Sequence, residues 1–228
     1  MARRWLLFLG LGILVLAVVY LGYDYYRANL RVEPEKLLTQ ALEQARAAAS
    51  YRYEVEAEMV VNGQRRVLSK VAGERDRQGN FHFWGELAGE KVEVYQFEGT
   101  TYFLDPQSGK WLVVPGNELG RQQMLVAEID PLSHLNFASL GAVAYRGRER
   151  QPAGRMHVLE FRPQPANAFM NRWFEDFTYR VWIEARSREL RQVVIQARSK
   201  TNPQAQATFC LRLRDFGAKL KFSPPPAA

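Results

Sequence analysis

Three rhythms of hydrophobic and polar residues follow one another along the chain. The first is an unbroken apolar run: Trp5 to Tyr23 reads WLLFLGLGILVLAVVYLGY and carries no charge. About 19 residues at a rise of about 1.5 Å span about 28 Å, close to the roughly 30 Å of a hydrocarbon core. Trp5 marks one end, Leu9, Leu14 and Val18 lie within, and Tyr23 marks the other end. Tyr20, Tyr25 and Tyr26 gather there too, as interfacial aromatics do. Arg3 and Arg4 precede the run, and neither an Ala-x-Ala-like cleavage pattern nor a lipoprotein-type cysteine follows it. A retained single-pass signal anchor is therefore expected, held among membrane lipids. Positive charges on its two sides nearly balance, Arg3 and Arg4 against Arg27, Arg31 and Lys36. The short basic tail predicts a cytoplasmic N-terminus and an extracytoplasmic C-terminal domain.

The second rhythm is helical. Pro34 opens PEKLLTQALEQARAAA, in which Leu37, Leu38, Ala41, Leu42, Ala45, Ala48 and Ala49 share a face. Proline suits a first helical turn, and an acid early in the helix favours its positive end.

At Ser50 the period drops to two. Tyr51, Tyr53, Val55, Ala57 and Met59 alternate with Arg52, Glu54, Glu56 and Glu58, as in a half-buried strand. Asn62-Gly63 signals a tight hairpin, returning through Arg65 to Arg75. Further strands are predicted at 81–87, 91–97, 100–104 and 111–114, which together make an antiparallel meander. Leu119 to Leu140 reads as one or two short helices interrupted at Pro131. Strands follow near 142–146 and 155–162. Asn167 to Phe177 reads as a brief helix or an irregular insert, and three strands at 179–184, 190–198 and 208–216 close the pattern. The organisation expected is an anchor and linker over 1–33, an antiparallel β domain over 34–222 and a disordered tail over 223–228. The fold class is mainly β (α+β): a curved antiparallel sheet with a few helices on its concave face. On that face Tyr53, Val55, Phe81, Phe83, Val181 and Ile183 are the candidate cavity-facing residues, with Glu54, Glu56, Arg180 and Glu184 turned to water.

Composition bounds the chemistry. The 228-residue chain is 47% hydrophobic and 24% charged, ordinary for a globular protein, with a formal charge of +7. Its arginines are scattered among glutamates, so the charge suits a neighbouring anionic surface and does not predict nucleic-acid binding. Cys210 is the one cysteine, which excludes an internal disulfide and a multi-cysteine zinc site. His82, His134 and His157 share no ligand spacing. Asp130-Pro131-Leu132-Ser133-His134 brings an acid, a hydroxyl and an imidazole together, but ordinary turn chemistry explains it. Glu54, Glu56 and Glu58 read as a solvated strand face, and Arg146-Gly147-Arg148-Glu149-Arg150 as a basic turn. Phe169, Trp173, Phe174 and Phe177 suit either the lip of a cavity or the core. No glycine-rich phosphate loop, G-x-S-x-G or H-E-x-x-H occurs. The sequence therefore implies neither an enzyme nor a cofactor.

Particular stretches carry a family likeness. They are Ser50-Tyr51-Arg52-Tyr53-Glu54-Val55, Glu98-Gly99-Thr100-Thr101-Tyr102-Phe103 with Trp111, Tyr179-Arg180-Val181-Trp182-Ile183-Glu184, and Leu190-Arg191-Gln192-Val193. Over Pro34 to Phe216 the chain resembles the bacterial LolA-like superfamily, especially cell-envelope lipoproteins of the LppX/LprG type. The resemblance implies an open half-barrel whose helices plug its mouth, and an apolar cavity for lipids or lipidated molecules. Those relatives are tethered by a lipid-modified cysteine or are free in the periplasm, whereas this chain offers only a helix. Other members bind proteins instead, as sensors or co-factors of envelope enzymes. Two functions follow as expectations: a membrane-anchored extracytoplasmic module binding an apolar ligand, or a protein-interaction module regulating an envelope enzyme or signalling complex. An open cavity of several hundred Å³ would favour the first, and a filled core with an exposed apolar patch the second.

Overall fold

The computed structural model describes residues 19–20, 32–115, 130–223 and 225. Among the described residues no helix is long and apolar enough to cross a membrane. The anchor residues Trp5, Leu9, Leu14, Val18 and Tyr23 lie outside them.

Helix α1 (Pro34–Ala47) starts at a proline, has Glu35 in its first turn and buries Leu37, Leu38, Ala41, Leu42 and Ala45. Each buried leucine contributes about 1.5–3 kcal/mol of apolar transfer. The chain then enters β1 (Tyr51–Val61), which turns at Asn62 and Gly63 into β2 (Gln64–Arg75). Both turn residues have positive φ, +51° and +78°, the conformation a two-residue hairpin of right-handed twist requires. β3 (Phe81–Leu87), β4 (Glu90–Phe97), β5 (Thr100–Leu104) and β6 (Trp111–Pro115) continue the meander. After a 3-10 helix (Pro131–Leu135) come β7 (Phe137–Ser139), β8 (Val143–Gln151), β9 (Gly154–Phe161), β10 (Gln164–Pro165), α2 (Ala168–Trp173), β11 (Phe174–Glu184), β12 (Leu190–Ser199) and β13 (Gln206–Arg214).

Eleven strands form one curved sheet in the order β6-β5-β4-β3-β2-β1-β13-β12-β11-β9-β8, and β7 pairs with β10 apart from it. Every pairing is antiparallel, and β1 meets β13 at its centre. One inner row, Val92-Gly85-Val71-Val55-Leu211-Val193-Val181-Leu159, crosses eight strands in register. The buried face of α1 joins this row in a single core, so the helix lies on the concave side. On the other face Arg180 bridges Glu160 at 3.0 Å and Arg191 bridges Glu184 at 2.6 Å.

Two glycines mark close approaches. A Cβ on Gly73 would meet the Tyr53 ring, its cross-strand neighbour, at 2.3 Å. Gly85, at φ +147°, brings its Cα so near β2 that a Cβ would lie 2.2 Å from the Lys70 carbonyl oxygen.

The structure departs from the sequence expectation in three places. Arg146 to Arg150 is not a turn: it is the body of β8, and the hairpin turns after Gln151. Its arginines read as a loop because an edge strand presents polar residues, and Arg146 is held by Glu160 at 2.7 Å. Within the expected helical stretch Leu119–Leu140, the described part holds a single 3-10 turn followed by strand β7. Asn167–Phe177 divides. Asn167 caps a six-residue helix by accepting from the Met170 amide, and at Phe174 the chain is already in β11.

Candidate functional site

The six residues predicted to face the concave side all pack into the main core. Tyr53, Val181 and Ile183 are fully buried, Phe83 and Val55 nearly so, and Phe81 is half-buried against them. They do not converge on one space. Only Val55 reaches the apolar cavity on this face, a void of about 100 Å³.

The sheet supplies one wall of that cavity. Val55 and Ala57 of β1 stand beside Leu211 and Phe209 of β13, which stand beside Val193 and Ile195 of β12. Leu68 and Ser69 of β2 and Leu87 of β3 extend the wall. The opposite wall is made of short pieces: Pro131, His134 and Leu135 of the 3-10 helix, Met170 of α2 and Phe174 at the start of β11. Pro131 fixes the first turn of its helix and keeps Asp130 out of helical geometry, at φ −124° and ψ 80°.

A few polar ties hold this second wall in position. Arg46, in the last turn of α1, donates to the Leu135 carbonyl at 2.7 Å and to Asn136 Oδ1 at 3.2 Å. The Tyr179 hydroxyl donates to the His134 carbonyl at 3.2 Å. The His134 Nδ1 lies 3.2 Å from the Met170 sulfur, and its ring stacks near Phe209, 6.3 Å between centroids. Phe174 meets Phe209 edge-on at 5.5 Å. Aromatic and sulfur contacts of this kind give a compliant apolar lining.

The residues Asp130, Ser133 and His134 do not form a catalytic relay. The Ser133 hydroxyl is buried with no hydrogen-bond partner among the described residues. Asp130 instead feels the charge of Arg75, and burial pushes its carboxyl above the ordinary range. The Arg75 guanidinium lies 5.9 Å from the Tyr51 ring centre and 5.6 Å from that of Phe81. Burial raises the Tyr51 hydroxyl well above the usual phenol range. Cys210 sits half-buried on the sheet, 3.7 Å from the Gln192 amide nitrogen, and burial raises its thiol, which makes it a poor nucleophile. Among the described residues no group of three or more histidine, cysteine or acidic side chains is placed to hold a metal ion.

Most of the cavity wall was not singled out in the sequence. Alternation assigns Ala57, Val193, Ile195, Phe209 and Leu211 to the inner face, but it does not say where along that face the packing stops. Phe174, which suits either lip or core by its sequence, packs in the main core and also lines the cavity.

The open eleven-stranded antiparallel sheet with short helices on its concave face is the fold of two solved mycobacterial proteins, LprF and LppX. The chain is similar to LprF from Mycobacterium bovis, at 14% identity and a TM-score of 0.58, over 86% of this chain and 98% of that one. It is also similar to the lipoprotein LppX from Mycobacterium tuberculosis, at 13% identity and a TM-score of 0.57, over 83% and 99%. No family model matches the sequence, and no curated protein matches it.

Proposed function

We propose that this chain is a membrane-anchored, extracytoplasmic module that takes an apolar ligand, such as the acyl chain of a lipid, between the concave face of its half-barrel and the short elements opposite. The observation that carries this reading is the partly open apolar pocket of about 100 Å³ between the sheet and the short elements opposite. Protein interiors seldom keep such space, and a dry apolar cavity of about 150 Å³ is enough to take up benzene. At about 100 Å³ the void falls short of the several hundred that a whole chain needs, so it holds a chain end. A longer ligand enters by displacing the 3-10 helix and α2, whose five and six residues rest on few ties, rather than the sheet. The apolar run 5–23 holds the module at its membrane, with the domain 34–222 outside the cytoplasm.

Native mass spectrometry of the purified full-length chain, with extraction and identification of lipids, tests the ligand. Lipid should co-purify with the natural chain and be largely lost from Ala57→Leu, which fills the void from the β1 wall. A lipid-free natural chain, or equal loading of Ala57→Leu, would end the reading. Carbonate extraction checks the anchor: the chain should remain with membranes. A reporter fused after Ala228 should be active only where export is required.

A second reading, a protein partner, has its own observation. On the outer face a groove of about 700 Å³ runs beside Trp84, with the β5–β6 turn at Asp105 and Pro106 forming a rim. Trp84 is 39% exposed there. A partner docked in this groove should be lost with Trp84→Glu and retained with Ala57→Leu, read by crosslinking in membranes.

A further inference from the structure

At the beginning of α1, away from the apolar cavity, a crevice of about 720 Å³ opens between the helix and the nearest strand turns. Glu33, just before α1, and Lys36 in its first turn line it, with Arg148 and Arg155 from the β8–β9 hairpin, and Glu184, Arg186 and Arg188 from the β11–β12 turn. His157, 3% exposed, lies at its base directly opposite Arg148 in the sheet register. Five basic side chains thus meet two carboxylates. One of the two is already engaged, because Glu184 accepts from Arg191 at 2.6 and 2.9 Å.

The contrast with the rest of the surface is informative. Elsewhere some exposed arginines are paired: Arg146 and Arg180 on Glu160, Arg198 on Glu175 and Asp176, Arg214 on Glu54 and Asp215. Others, such as Arg66, Arg162 and Arg172, stand singly, so the crevice differs in gathering several basic groups around one concavity. Lys36, Arg148, Arg155, Arg186 and Arg188 make no salt bridge among the described residues. The five basic groups outnumber the two carboxylates, and their charge reaches the buried ring. Burial first, and then the charges of Arg148 and Arg188, hold His157 below the ordinary imidazole range. Arg188 also occupies a left-handed backbone position, φ +63°, where glycine or asparagine is the common choice.

We propose that this crevice is a phosphate-binding site, holding the phosphate of an anionic lipid headgroup or a free phosphate ion among Arg148, Arg155, Arg186 and Arg188. Guanidinium groups pair with phosphate oxygens in a bidentate geometry, and several from different elements can enclose one tetrahedral anion. The volume suits a headgroup. Position favours the lipid source. Val32 also lines the crevice and is nine residues beyond Tyr23, so at most about 30 Å of extended chain separates it from the end of the apolar run. Because the crevice shares no lining residue with the apolar cavity, the two sites succeed or fail separately.

The test uses the full chain in neutral maltoside micelles, titrated with dihexanoyl phosphatidic acid, dihexanoyl phosphatidylcholine and inorganic phosphate, with the imidazole resonances followed by NMR. Phosphatidic acid should bind and move the His157 signal, and the zwitterionic lipid should not. Arg186→Gln/Arg188→Gln should weaken binding roughly tenfold or more, while Arg180→Gln/Arg198→Gln, on paired arginines, should leave it unchanged. Inorganic phosphate binding as tightly as the lipid supports the site and identifies the free ion as its source; much weaker phosphate binding identifies the headgroup. Should the turn variant not fold, Arg155→Gln carries the same test. Absence of binding to the natural chain, or equal weakening by both double variants, overturns the proposal.

Discussion

Val181 and Val193 face each other across β11 and β12, and both are fully buried, yet they belong to different regions of the same face. Val181, with Ile183 and Leu159 beside it on the β9–β11 wall, is buried and lies outside the cavity lining. Val193 belongs to the seam from β12 through β13 to β1, where the cavity lies. Residue type, burial and secondary structure are equal between them, so none of these locates a binding surface. What differs is whether the elements opposite complete the packing. Over β9–β11 the two-stranded β7–β10 sheet does so, with Phe137 edge-on to Phe161 at 5.6 Å and to Tyr179 at 5.2 Å. Over the seam a five-residue 3-10 helix leaves a gap.

The comparison can be broken most forcefully at Ile183. Ile183→Ala should cost about 2–5 kcal/mol, seen as a lower denaturant midpoint, because a closed wall cannot collapse into the new void. A loss below about 1 kcal/mol would mean that this wall is as loosely packed as the seam. Gly73→Ala probes the other half of the sheet. The added methyl meets the buried Tyr53 ring and should destabilise the fold by about 1–3 kcal/mol through overpacking. Tyr53→Leu placed in the same chain should recover part of that loss.

The sharpest contrast is the valine pair. Val181→Ala should cost about 1–3 kcal/mol and leave co-purifying lipid unchanged. Val193→Ala enlarges a space that already exists, so it should cost less and alter lipid retention. Identical lipid profiles for the two variants would remove the distinction between wall and seam.

The smallest effect concerns Asp130, whose carboxyl is raised mainly by burial and partly lowered again by Arg75. A raised acid favours the folded state fully below its unfolded pKa of about 4 and loses that contribution as pH rises through the folded value. Asp130→Asn should therefore raise Tm slightly at neutral pH, and the gain should vanish near pH 3. A gain that persisted there would show that charge is not its origin.

Much of the sheet was legible because a face buried by α1 imposes alternation, broken on β9 and β11 where Met156, Val158 and Trp182 are buried on the other face as well. Tyr51 to Met59 and Tyr179 to Ile183 could be assigned to the correct side for that reason, and a slip of one residue would have turned Val181 outward. The errors fell where that constraint lapses. Arg146 to Arg150 lies on edge strand β8, with one side unpaired and both faces polar, so it carries no alternation to read. Phe174 to Phe177 begins β11 through an irregularity at Asp176, φ +56°, which interrupts the period and imitates a helical cluster of aromatics. The candidate site was legible only as a face. His134, Met170 and Phe209 meet there from three distant parts of the chain, and no local pattern records a gap between them.

Among the described residues the sheet ends at β6 and β8, which do not pair with each other. In a closed barrel, strand number and stagger together dictate the radius, and the interior volume is fixed with them. Here no such closure condition applies. Curvature is set by twist, by the approach of β3 to β2 at Gly85 and by whatever fills the interior. The distance between the two edges is therefore free to vary, and if the proposed ligand enters the seam it should spread them. Paired spectroscopic labels on β6 and β8 would read occupancy directly as a length.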